Sequence, residues 1–261
     1  MHYYTLHFIP GLSDFVISEL NDKFPSRFKI IKLDKQSGTI DIDSDVEFIE
    51  EFRILKSCTG IAKNQRRLAL DKPIWRKNFV PAGINPSLAW CMCKFAKLDS
   101  ESIVLDPFCG GGTLGITAGV EFGIKKSILS DISEKATQAT IQNLRELKYL
   151  QQTGRLENVK TTFNAFVCGI DKLNLKKEKI THITTNPPYG IRVGDHKRNV
   201  KIYQSLARLA SESLHEHGTI VLISQEKELV KKLFKNFILG GSFDVKSGGL
   251  YLRVSKFVKV K

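Results

Sequence analysis

The sequence has few of the features that would mark an extracellular, metal-binding or membrane protein. Its 261 residues include five cysteines (Cys58, Cys91, Cys93, Cys109, Cys168), an odd number with no Cys-x-x-Cys pair. That spacing supports neither a disulfide framework nor a tetrahedral zinc site. Cys91-x-Cys93 falls in an apolar helical stretch with no partnering His or Cys pair, so the cysteines read as reduced, mostly buried thiols and no metal is expected. No stretch approaches the roughly 20 uninterrupted apolar residues of a membrane span, and Met1-His2-Tyr3-Tyr4 lacks the basic-then-apolar pattern of a signal peptide. Internal repeats and low-complexity tracts are also lacking. The expectation is a cytoplasmic protein with no membrane partner.

Cationic charge is abundant, and it is unevenly spread. Residues 1–72 hold 11 Lys+Arg against 11 Asp+Glu, whereas the remainder holds 29 against 16 and so carries the whole net charge of +13. An excess of that kind draws a polyanion such as a nucleic-acid backbone to the second segment without conferring base specificity.

Periodicity divides the chain near residue 75. Residues 1–74 read as strand (3–9), helix (12–24), strand (28–33), strand (38–42), helix (46–57) and a weak strand within 61–70, the βαββαβ order of a ferredoxin-like α+β domain. Leu12, Phe15, Val16, Leu20 and Phe24 share one helical face, and Thr39-Ile40-Asp41-Ile42 alternates as a half-buried strand does. Past Pro73 and Pro81-Ala82-Gly83, Pro86 opens a helix through Phe95. Residues 75–261 then alternate short apolar strands (102–105, 127–130, 159–163, 180–185, 219–224) with helices (113–122, 134–147, 200–214), and close on a hairpin around Ser247-Gly248-Gly249. This is the α/β pattern of a doubly wound, parallel sheet.

Three strand ends carry chemistry. Ile103-Val104-Leu105-Asp106 runs into Pro107-Phe108-Cys109-Gly110-Gly111-Gly112-Thr113, a glycine turn that opens a helix and offers backbone amides to a ligand. Gly110-x-Gly112-x-x-Gly115 also satisfies the dinucleotide fingerprint, so a nicotinamide dehydrogenase is a rival. Asp106 decides against it, because a carboxylate at that strand end suits a cationic amino-acid moiety and sits badly beside a pyrophosphate; the ligand expected is S-adenosylmethionine. Asp131, 25 positions later at the next strand end, suits ribose hydroxyls, and Asn164, after the third strand, suits an adenine edge.

The fourth strand ends in Asn186-Pro187-Pro188-Tyr189. Two prolines end a sheet ladder, so propensity does not explain them. They fix the backbone so that the Asn186 amide oxygen and a carbonyl converge on one external point, where they can bind both hydrogens of an exocyclic amine and orient its nitrogen for in-line attack on a sulfonium methyl. Tyr189 offers a ring for stacking an extruded base. The basic stretch after it, with Arg192, Lys197 and Arg198, reads as a loop that grips flanking phosphates.

These motifs, together with Pro81-Ala82-Gly83-Ile84-Asn85-Pro86-Ser87-Leu88-Ala89, resemble the class I methyltransferases that make N2-methylguanosine in RNA, especially the tRNA group carrying a THUMP domain. The resemblance covers most of residues 78–225. It implies a seven-stranded Rossmann-like sheet, methyl donation by S-adenosylmethionine, and Asn186 to Tyr189 as the catalytic tetrad. The cofactor set is then Asp106, Phe108, Gly110, Gly112, Thr113, Asp131, Asn164 and Asn186, with RNA, tRNA first, as the partner. Phe8-Ile9-Pro10-Gly11-Leu12 resembles the start of the family's ferredoxin-like plus THUMP module. Two departures stand out. Asn164 occupies a turn where the family usually has Asp, and about 75 residues hold a ferredoxin-like unit but not a full THUMP domain, which leaves room for a protein partner or activator. Three rivals remain: an adenine-N6 methyltransferase, a glutamine-amide methyltransferase with a similar tetrad, and a catalytically idle RNA-binding subunit.

Overall fold

The computed structural model describes residues 1–81, 83–157, 159–175, 179–189 and 196–260, the side chains of 196–198 excepted. Two sheets organise the chain. The first contains β1 (His2–His7), β2 (Phe28–Asp34), β3 (Thr39–Ser44), β4 (Gly60–Lys63) and β5 (Arg66–Ala69), in the order β2-β3-β1-β4-β5. Its first four positions follow the ferredoxin-like order, with β5 added at the edge. Helix α1 (Ser13–Lys23) buries Val16 and Leu20 against the sheet face formed by Tyr4, Leu6, Ile40 and Ile42.

Two expectations fail here for physical reasons. The helix expected over 46–57 is only a short 3-10 turn, Ile49–Ile54. The Tyr4 hydroxyl donates to the carbonyls of Val46 (2.7 Å) and Glu47 (3.0 Å) at one end. At the other end the buried carboxylate of Glu19 accepts from the amides of Lys56 and Ser57 and from the Ser57 hydroxyl, so those donors are lost to a helical ladder. The single weak strand expected within 61–70 is a hairpin, β4 and β5, turning at Asn64, whose φ of 54° an Asn tolerates.

The second sheet has seven strands: β6 (Ile103–Asp106), β7 (Lys126–Asp131), β8 (Thr162–Val167), β9 (Ile180–Thr185), β10 (Leu214–Ser224), β11 (Phe237–Ser247) and β12 (Leu250–Lys259). They lie in the order β11-β12-β10-β9-β6-β7-β8, and only the pairings made by β12 are antiparallel. Helices α2 (Pro86–Ala96), α3 (Thr113–Phe122), α4 (Glu134–Gln152), α5 (His196–Ser213) and α6 (Lys227–Leu233) complete it. The expected seven-stranded Rossmann-like sheet is therefore present. Sequence reading missed α6 and began α5 four residues late.

Asn85 caps α2 by accepting from the Ser87 amide at 2.8 Å, with Pro86 at the first helical position. Leu88, Cys91 and Met92 of α2 pack in one continuous apolar cluster with the core of the first sheet and with Val245 and Val254 of the second. The two sheets thus share a core through α2. Between them, Val80, Pro81, Gly83 and Ile84 lie along the carboxyl ends of the second sheet, where the site is found.

Among the described residues no helix is long and apolar enough to cross a membrane. All five cysteines are free, and four are buried.

Candidate active site

The chain order of the second sheet reverses between β6 and β9, and the crevice outside the carboxyl ends of such strands is where open α/β sheets bind ligands. A cleft of about 610 Å³ opens there. Its wall contains Asp106, Phe108, Gly110, Thr113, Asp131, Asn186, Pro187, Pro188 and Tyr189, so nine of the residues singled out from sequence converge on one space.

The glycine turn is built for close approach. Gly110 and Gly112 have φ of 55° and 79°, which L side chains rarely adopt. The Gly110 amide donates to Asp131 Oδ2 at 3.0 Å and the Cys109 amide to the Ser130 carbonyl at 2.9 Å, tying the turn to the end of β7. Asp131 Oδ1 also accepts from the Ser133 amide at 2.9 Å. Asp106 is 1% exposed; its Oδ1 accepts from the Thr185 hydroxyl at 2.7 Å and the Phe108 amide at 3.2 Å. Burial pushes its carboxyl up to about 7, with the neighbouring charge of Asp131 adding to the rise. Burial also raises the Tyr189 phenol; this ring is half-buried and packs partly on the core rather than standing free.

Two expected members lie elsewhere. Asn164 is exposed within β8, opposite Ile128, and does not line the cleft. The strand begins at Thr162, later than the expected 159, and runs on to Val167 opposite Asp131, so Asn164 falls inside the ladder. After that strand it is Ile170 and Asp171 that line the cleft, an acidic residue that the sequence did not single out. Gly112 faces inward: a methyl group there would meet Thr140 Cγ2 at 2.9 Å, so this glycine lets α3 start against α4 instead of lining the cleft. Arg192 lies outside the described residues. Lys197 and Arg198 fall in the first turn of α5 rather than a loop, and their side chains are likewise outside the described residues.

Other contributors gave little local signal. Val80 and Ile84 close one side, Ile132 is 69% exposed at the rim, and Lys201 and Ser205 project from α5. Asn143 and Arg76 hold the 73–85 segment in place. The Arg76 Nε donates to the Thr113 hydroxyl at 3.0 Å, and its guanidinium lies 4.8 Å from the Phe79 ring centroid.

The profile of the family described as UPF0020, RMKL-like, methyltransferase domain, matches residues 73–249. The chain belongs to this family. As an RMKL-like methyltransferase domain, it is 28% identical over 218 residues to the tRNA (guanine(6)-N2)-methyltransferase of Methanocaldococcus jannaschii, covering 72% of this chain and 57% of that protein. It is 25% identical over 209 residues to the enzyme of the same name from Archaeoglobus fulgidus, covering 73% and 52%. The chain spans about half the length of the curated relatives it matches. The crystal structure of TrmN from Thermus thermophilus has the same fold, with a TM-score of 0.79 at 17% identity and all of both chains covered.

Methyltransferase domains of this fold use S-adenosylmethionine, and the residues present fit it. A buried carboxylate at Asp106 matches its ammonium group, carboxylates at Asp131 and Asp171 match hydroxyl and amine donors, and the exposed Ile132 offers an apolar face to a flat ring.

Proposed function

We propose that the protein transfers a methyl group from S-adenosylmethionine to the exocyclic N2 amine of guanosine in RNA, with tRNA the favoured substrate. The observation that carries this reading is the single cleft shared by the glycine turn, Asp106 and the Asn186–Tyr189 run. The names of the relatives favour guanine N2 over adenine N6. Residues 1–74 serve as a ferredoxin-like unit attached to the transferase unit 75–261, and the five free cysteines suit the reducing cytoplasm.

S-adenosylmethionine supplies an electrophilic methyl carbon on a sulfonium. Asp106 would hold its ammonium group, the N-terminus of α3 would lie at its amino-acid end, and Asp131 would accept from the ribose. Phe108 and Ile132 would flank the adenine, and Asp171 would accept from its amine. The Asn186 amide oxygen, which is buried at the cleft wall, and the Pro187 carbonyl would accept the two hydrogens of the target amine, and the prolines restrict the backbone that carries them. Tyr189 stacks the target base. No strong base is required: the amine nitrogen would bond the methyl carbon as the carbon–sulfur bond breaks, the electron pair would leave on sulfur as S-adenosylhomocysteine, and the proton of the resulting charged amine would pass to water.

The test is incubation of the protein with isotopically labelled donor and unmodified tRNA transcripts, followed by digestion to nucleosides and mass spectrometry. Label in N2-methylguanosine is expected. Label in N6-methyladenosine overturns the guanine assignment, label in protein points to a glutamine-amide transferase, and RNA binding without saturable stabilisation by S-adenosylhomocysteine means an idle subunit.

A further inference from the structure

Two adjacent threonines close β9, both with no exposed surface. The Thr184 hydroxyl has no hydrogen-bond partner among the described residues. The Thr185 hydroxyl donates to Asp106 Oδ1 at 2.7 Å, across 79 residues of sequence. That oxygen already accepts the Phe108 amide, so Oδ2 is the oxygen left for a ligand in the cleft. The next residue after Thr185 is Asn186, and Pro187 and Pro188 follow it, so the backbone there has little freedom to absorb a change at Thr185.

We propose that Thr185 is a positioning residue, one that ties the carboxylate of Asp106 to the setting of the Asn186 amide so that capture of the donor's ammonium group and alignment of the acceptor amine are coupled. This rests on the methyl-transfer reading. The coupling has a chemical basis. A hydroxyl bonded to a carboxylate makes a shorter and stronger bond than one bonded to a neutral acid, and its strength follows the charge on Asp106. A cation held in the cleft keeps Asp106 ionised and the Thr185 bond strong; the stiff side chain of a β-branched residue passes that constraint to the backbone at the end of β9.

The carboxyl titrates near neutrality, at about 7, which makes the coupling measurable. Among the described residues, Asp131 on β7 is a like charge beside it, the thiols of Cys93 on α2 and Cys109 in the glycine turn are pushed up by burial and hence neutral, and Asp171, Tyr189 and Lys201 line the same cleft. The Thr185 bond acts against burial and lowers the Asp106 midpoint.

The test compares wild type with Thr185→Val, Thr185→Ser and Thr184→Val, the last removing a hydroxyl of equal burial. Two ligand-independent and ligand-dependent readouts are paired: the Asp106 carboxyl midpoint by carbon NMR in the free protein, and the affinity for S-adenosylhomocysteine, which carries the same ammonium group, as a function of pH. Thr185→Val is expected to raise the midpoint above the wild-type value and to weaken S-adenosylhomocysteine by ~10-fold at neutral pH, with recovery at higher pH. In turnover kcat should fall more than the donor KM rises. Thr185→Ser restores each readout and Thr184→Val leaves each unchanged. A Thr185→Val protein with the wild-type midpoint and affinity profile overturns the proposal, as does failure of Thr185→Ser to restore them. Wild-type protein that binds no S-adenosylhomocysteine at any pH overturns the methyl-transfer reading itself, a result distinct from either.

Discussion

The side-chain amide of Asn143, in the middle of α4, donates to the Gly111 carbonyl at 2.9 Å and is itself fully buried. Its oxygen accepts the amides of Lys77 and Asn78 at 3.0 and 2.9 Å, and its nitrogen also donates to the Asn78 carbonyl at 3.0 Å. One residue thereby fastens the segment that walls the cleft to the turn that forms its floor. Asn143→Ala strands buried donors and acceptors, and we expect it to cost about 2–4 kcal/mol of stability and to weaken S-adenosylhomocysteine. Urea denaturation and calorimetric binding check both effects; unchanged binding in a folded variant would refute the fastening role.

Asn186→Ala removes one of the two proposed acceptors for the target amine. Single-turnover methyl transfer is expected to fall by about 100-fold or more, while donor affinity changes far less. Equal losses in the two quantities would instead make Asn186 a cofactor contact only.

Asp106 sets a pH dependence of stability whose sign follows from its environment. Its ordinary value is 3.8 and the folded protein raises it to about 7, so between those values the folded state holds a proton the unfolded chain has lost. Stability of the ligand-free protein therefore falls as pH rises through that window. Asp106→Asn, which keeps an acceptor for Thr185, should melt higher than wild type at pH 8 and differ little at pH 3.5, while losing donor binding. Thermal melts at both pH values check this, and a variant less stable than wild type at pH 8 contradicts it.

Gly115 meets a different demand from Gly110. A methyl group on it would overlap the Leu129 side chain and lie 2.6 Å from Ser127 Oγ, where α3 packs on β7. Gly115→Ala is expected to cost about 1–3 kcal/mol by overpacking, without altering donor contacts directly. Chemical denaturation measures the loss; a neutral substitution would show that α3 can shift outward.

Much of this arrangement is legible along the chain. Thr113–Phe122 as a helix and Ile180–Thr185 as a strand match expectation at both ends. So does the Pro86 start of α2, because a proline at a first turn and a glycine turn before a helix act on their own neighbours. The illegible parts all involve partners far away in sequence. Glu19 takes the amides of Lys56 and Ser57 and cuts a helix short, and the pairing of β8 with β7 runs on to Val167 opposite Asp131. That pairing carries the ladder past Asn164, so it is Asp171, after the strand, that lines the cleft.

Sequence alone therefore determined the strand-turn-helix chemistry at Asp106–Thr113 and the rigid acceptor run at Asn186–Tyr189, since glycine and proline impose their backbone geometry wherever they occur. Only the tertiary structure decided that these two runs share a cleft, that Thr185 reaches Asp106 and that Asn143 holds the wall to the floor. Such meetings depend on the pairing of β6 with β9 and on the packing of α4, which the whole core selects and which leave no trace in the spacing of neighbouring residues.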